Sequence, residues 1–159
     1  MSLDAYVRCT CIKDGRAKKP HPLPDRFTWD ESSAPSLTGD PTEREWEAHE
    51  RWVQQSCEHE GFLVSEFLGN ITRAKNVREF LRGLQGDPGP KFPILLKKVV
   101  YDGTHTGDWI PVKESPALLR EVKLVLASRD ILTPGETEFF DSMKRLCEAS
   151  IETGNPIVF

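Results

Sequence analysis

The first hydrophobic pattern along the chain has a period of two. In residues 3–12, LDAYVRCTCI, Leu3, Ala5, Val7, Cys9 and Cys11 fall on one side, with Asp4, Tyr6, Arg8, Thr10 and Ile12 on the other. This alternation predicts an opening strand with one mostly buried face. Both cysteines would then point the same way, about 6.5–7 Å apart along the strand. Residues 13–39 lose the pattern and hold Pro20, Pro22, Pro24 and Pro35. They read as a long Pro-rich loop pinned by Phe27 and Trp29, and such loops in small domains are either functional or mobile.

Helical periods follow. DPTE at 40–43 reads as Asp40 at the N-cap, Pro41 at the first helical position and Glu43 reaching back. The helix predicted over about 41–58 carries Trp46, Val53 and Cys57 on one stripe with His49 at its margin, and Gly61 closes it. FLVSEFLG predicts a short strand over 62–68. Asn70 then caps a helix over 71–84 with Ala74, Val77, Leu81 and Leu84 inward, and GDPGP at 86–90 is a break. Between 92 and 101 the apolar set Phe92, Leu95, Leu96, Val99 and Val100 fits a helical template better than alternation fits a strand. A short helix running into a strand near Val99–Tyr101 is expected there. Ser115-Pro116 opens a helix with Leu118, Val122, Val125 and Leu126 inward. TPGE at 133–136 repeats the cap, proline and glutamate, and opens a helix with the stripe Phe139, Phe140, Met143, Leu146, Cys147, Ser150 and Ile151. Gly154 ends it, and NPIVF reads as a terminal strand. These elements predict one α+β domain over 1–159, with four or five helices packed on a small sheet.

Charge removes one class of partner. The formal charge is -4, so there is no electrostatic case for nucleic acid, whose first requirement is a basic face. The local cluster Lys13, Arg16, Lys18 and Lys19 reads as a solvated loop. No window approaches the roughly 18 apolar residues of a membrane span. Asp4 and Arg8 interrupt the N-terminus where a signal peptide needs an apolar run. A cytoplasmic chain with its four cysteines reduced is therefore expected.

Three constellations could carry chemistry. Cys9-x-Cys11 and Cys57-x-His59 are two short-spaced pairs of zinc-type donors, with His105 as a fifth. A regular strand would hold Cys9 and Cys11 too far apart for easy joint ligation, so the pairs work only where the backbone turns. Cys57 is a poor nucleophile on sequence grounds, since a helix C-terminus, Glu58 and Glu60 all raise a thiol pKa. In YDGTHTGDW, residues 101–109, His105 and Asp108 form a candidate carboxylate–imidazole pair for general-base work, with Thr104 beside them. Trp29, Trp52 and Trp109 lie outside a clear core stripe and are candidate anchors for a partner.

The stretches CTC, CEHE, FLGNI, FPILLKKVVYDGTHTGDWI and TGNPIVF resemble a family of small bacterial proteins of unassigned function, over most of the chain. GTHxGD and GNPIxF are the most distinctive parts. The resemblance implies a bacterial, cytoplasmic origin and supplies no activity. In size and acidity the chain is also similar, in a general way, to toxin-neutralising immunity proteins. Two functional expectations follow. The first is a protein that occupies a protein partner, with no catalysis of its own; net negative charge would steer it to a basic partner. The second is a zinc-binding protein or metal-dependent hydrolase built on the Cys/His residues.

Overall fold

β1, Ser2–Arg8, is the strand on which the rest is hung. A computed structural model describes residues 2–84, 91–105 and 107–159; the expected GDPGP break lies outside them. Leu3, Ala5 and Val7 are buried as the alternation predicts. The strand stops at Arg8, however, and residues 9–12 of the expected strand leave it. The hairpin-like partner β2, Phe27–Trp29, and β3, Pro35–Leu37, form a separate two-stranded sheet inside the segment read as loop. Next come α1, Glu43–Gln55, and β4, Phe62–Asn70. They are followed by α2, Ile71–Leu84, β5, Trp109–Ile110, and α3, Ser115–Leu126. The described chain closes with α4, Pro134–Thr153, and β6, Ile157–Val158.

The main sheet is antiparallel, in the order β4-β1-β6-β5. β1 pairs with β4 from Ser2↔Asn70 to Arg8↔Phe62. On its other side, Tyr6 and Val7 meet Val158 and Ile157. α4 lies across β4 and β1, and α3 packs on α4. The α+β class is as expected. Phe139, Phe140, Met143 and Leu146 of α4 are fully buried against Leu118 and Val122 of α3 and Val77 and Leu81 of α2. Ile151, expected on the inner stripe, is 43% exposed. No helix among the described residues is long and apolar enough to cross a membrane.

Caps explain where the helices start. α4 has the predicted box: Thr133 Oγ1 accepts from Glu136 N, and the Glu136 carboxylate accepts from Thr133 N. α1 uses the same device two residues later than expected, with Thr42 and Glu45 in place of Asp40 and Glu43. The pair that bonds is Thr42–Glu45, each side chain accepting from the other's backbone N–H. On this helix His49 and Val53 are buried, while Trp46, expected on the inner stripe, is 38% exposed. Around 95–99 the chain forms a single π-helical turn, and the expected strand at 99–101 is absent. The buried Glu121 carboxylate accepts from Ile94 N and Leu95 N at 2.9–3.1 Å and satisfies the start of that turn.

The Pro-rich segment is ordered by imidazoles. Leu23 N–H donates to His21 Nδ1 at 2.9 Å, so neutral His21 carries its proton on Nε2. That proton is donated to His49 Nδ1 at 2.9 Å, and His49 Nε2–H is donated to the Pro35 carbonyl at 3.2 Å. Trp52 adds an indole N–H bond to the Lys19 carbonyl, and Arg26 pairs with Glu45 at 2.6 Å. β2, β3 and residues 19–26 are thereby fastened to α1.

Candidate metal centre

The pairing of β1 with β4 decides what meets at its far end. Beyond the Arg8↔Phe62 rung, Cys9 N still donates to Gly61 O. The chain then turns, with Asp14 N bonded to Thr10 O, Gly15 N to Ile12 O and Arg16 N to Cys11 O. Cys9 and Cys11 therefore sit on a turn, where a one-residue spacer lets both side chains face one point. Across the ladder, α1 ends at Gln55 and the chain must reverse into β4 within six residues. Glu60 and Gly61 do this with φ of 52° and 90°. A Cβ on Gly61 would come within 3.0 Å of Val53 Cγ1, so this turn needs glycine. The reversal puts Cys57 and His59 opposite Cys9 and Cys11, and Lys18 N→Ser56 O at 2.8 Å ties the two turns together.

The four donor atoms lie within 4.8 Å of one another. Cys9 Sγ is 3.6 Å from Cys57 Sγ, and Cys11 Sγ is 3.4 Å from His59 Nδ1. A tetrahedron with Zn–S of about 2.3 Å and Zn–N of about 2.0–2.1 Å has S–S edges near 3.8 Å and S–N edges near 3.5 Å. Two edges of the site already match these lengths, and the longest must contract by roughly 1 Å. Cys11 and Cys57 are buried, Cys9 is half-buried and His59 is exposed, so the group could take an ion from solvent.

Electrostatics at the site differ from the sequence expectation. Burial pushes the Cys57 thiol up. The backbone N–H groups of Gly61 and His59, with the sulfurs of Cys9 and Cys11, outweigh it and bring the thiol down to about 7. The expected rise from a helix end and flanking glutamates does not occur, because Glu58 and Glu60 are exposed and the turn aims N–H groups at the sulfur. Cys9 is pushed up to about 12 by burial, only partly offset by a backbone N–H from Cys11, and by the sulfurs of Cys57 and Cys11. One thiolate is accommodated and a second is resisted. A divalent cation held there would remove that resistance.

Asn155, which the sequence reading passed over, braces the site. Its Nδ2 donates to the carbonyls of Arg8 at 2.8 Å and Cys9 at 3.4 Å, and its Oδ1 accepts from Lys13 Nζ at 2.6 Å. It is buried, just ahead of β6. The one sequence signal was its place between Gly154 and Pro156 in the GNPIxF stretch.

His105, expected as a further donor, is not in the group. It lies beside Leu3 and Asp4 at the opposite end of β1, with ring centroids 4.3 Å from Tyr101 and 5.6 Å from Phe159. The five expected donors Cys9, Cys11, Cys57, His59 and His105 therefore do not form one set. Nor is the His105–Asp108 pair a tight one: Nδ1 stands 3.8 Å from Oδ2, because the Tyr101 hydroxyl engages that carboxylate and the Thr104 carbonyl. Thr104 is exposed in the same loop. Trp29 and Trp109 are each over a third exposed. Trp52 instead packs on His21 and Phe27 and pins the Pro-rich segment. Cys147 is buried in α4 and has no part in either place.

Fold and site together define a small α+β protein carrying three thiols and an imidazole that could hold a metal ion. No known protein family, no curated protein and no solved structure matches the chain.

Proposed function

We propose that Cys9, Cys11, Cys57 and His59 bind one zinc ion in a structural site, and that the protein is a zinc-stabilised binding protein. The observation that carries this is the convergence of four soft-to-borderline donors from two turns 48 residues apart in sequence onto one point. Thiolate-rich tetrahedral sets favour zinc over the hard cations. Four protein donors fill the tetrahedron, whereas hydrolysis needs an open position for water. That weighs against the hydrolase reading. Elemental analysis of protein purified without added metal tests the proposal. About one zinc per chain is expected, and less than about 0.2 would remove it, since structural sites hold zinc tightly.

A second reading concerns what the scaffold does. Exposed Trp29 and Trp109 favour a protein that occupies a partner, as an immunity protein does, and the charge of -4 favours a basic one. Capture of a stoichiometric partner from the native host, lost on Trp29→Ala or Trp109→Ala, is the expected result. Capture indifferent to both substitutions would contradict it.

A further inference from the structure

The end of β1 remote from the thiols borders a cavity of about 660 Å³, within the size range of small-molecule sites. Leu3, Ile71 and Phe159 supply apolar wall, and Tyr101 adds an aromatic edge. The polar groups are uneven. The Arg78 side chain is only 12% exposed, yet its carboxylate partner Asp102, 3.4 Å away, is 90% exposed. A charge pair with one member in bulk water is weak. The only other polar contact of the Arg78 side chain among the described residues is a long one, 3.4 Å from Nη1 to the Val100 carbonyl, and Nε is buried without a partner. A guanidinium has five N–H donors in a planar fork, and this one leaves most of them unspent.

The surroundings favour an anion there. Lys75, one turn before Arg78, lines the same cavity, and its own pairing with Glu79 is a 3.9 Å surface contact. The first turn of α2 reaches the cavity through Ile71 and Thr72, and brings the positive end of a 14-residue helix. Asp4 opposes this, although its carboxylate is engaged by the Ser2 hydroxyl. With Asp4 and Asp102 both at the cavity, a second negative charge on a ligand would be repelled. One planar charge is therefore favoured over a phosphate dianion.

We propose that this cavity binds a small organic monocarboxylate with an apolar body, its carboxylate on Arg78 and Lys75 and its body against Leu3, Ile71 and Phe159. The Arg78 fork matches a carboxylate bidentately. This site is independent of the zinc proposal and shares none of its residues.

The test is calorimetric titration of the chain, residues 1–159 as purified, with benzoate, phenylacetate and cyclohexanecarboxylate. Benzamide, benzylamine and phenyl phosphate serve as neutral, cationic and dianionic controls. At least one acid is expected to bind saturably with Kd of about 1 mM or tighter. Its advantage over each control should be about tenfold or more, the worth of a charge-assisted bond. Arg78→Gln should abolish the binding. Because Arg78 is largely buried, Lys75→Glu provides a surface variant that keeps the fold, and it should weaken the acid about fivefold or more. The proposal is overturned by no saturable acid binding up to about 10 mM. It is equally overturned by benzamide or phenyl phosphate binding as well as the acid, or by an affinity unchanged in Lys75→Glu.

Discussion

The two ends of β1 each carry an imidazole, and they treat it in opposite ways. At the Arg8 end, exposed His59 meets three sulfurs on two turns. At the Ser2 end, His105 is set between the rings of Tyr101 and Phe159, and the nearest carboxylate is engaged by a tyrosine hydroxyl. Burial pushes the His105 pKa down, with Asp108 pulling weakly the other way. The same side chain is a donor among donors in one place and part of an aromatic wall in the other. Neighbouring chemistry makes the difference: convergent thiols could hold a cation, whereas rings and a neighbouring arginine leave room for an organic anion.

Removing the metal should separate the two ends most. Chelation, or Cys57→Ser, is expected to lower stability by about 4 kcal/mol where zinc was about a thousandfold above its Kd. Thermal unfolding with and without chelator measures this; coincident curves would mean that the thiol end needs no ion. Asn155→Ala should come next. It strips the carbonyls of Arg8 and Cys9 of a buried donor, at about 1–3 kcal/mol. Because it braces the turn, zinc affinity should also fall by about tenfold or more in competition with a chromophoric chelator.

A smaller effect is expected from pH. Burial lowers the pKa of His21 and His49 from 6.5. For His21, the Leu23 N–H contact and the neighbouring His49 enter with smaller effect. For His49, the Pro35 carbonyl and Glu50 raise it and Arg8 lowers it, both sets weaker than burial. The unfolded chain therefore takes protons first as pH falls through 6.5, so stability is full above that pH and declines below it. Protonation also forces a second N–H into the His21–His49 contact. Urea midpoints in the metal-replete protein should drop between pH 7.5 and 5.5, and less so in His49→Gln; equal midpoints would contradict the hydrogen-bond chain. The smallest effect is the one that most sharpens the contrast. His105→Ala should leave zinc at one per chain, while His59→Ala loosens it, as read by the same chelator competition.

Local signals in the sequence carried much of the architecture. The Thr133–Glu136 box, the Phe139–Cys147 stripe and the Gly154 stop specify α4 from within fewer than 25 residues, and the structure follows them. The α1 box was misplaced because DPTE offers two acids at cap spacing, and only side-chain bonding tells Thr42–Glu45 from Asp40–Glu43. Strands of two or three residues have no period to detect. β5, β2 and β3 went unread: β2 and β3 pair with each other inside the Pro-rich segment, and β5 depends on β6, more than 45 residues away. The metal residues themselves were legible as CxC and CxH. The geometry of their meeting was not, because it depends on the β1–β4 register ending at Arg8↔Phe62 and on Gly61 reversing the chain. The placement of His105 was beyond local reasoning for the same cause: Gly107 N and Asp108 O bond to Phe159, more than 50 residues away.

The most direct measurement is zinc-edge X-ray absorption on the protein as purified. The account predicts a first shell of three sulfurs at about 2.3 Å and one nitrogen at about 2.0–2.1 Å, reduced to two sulfurs in Cys9→Ser. A shell of oxygen and nitrogen alone, or one unchanged by Cys9→Ser, would contradict it.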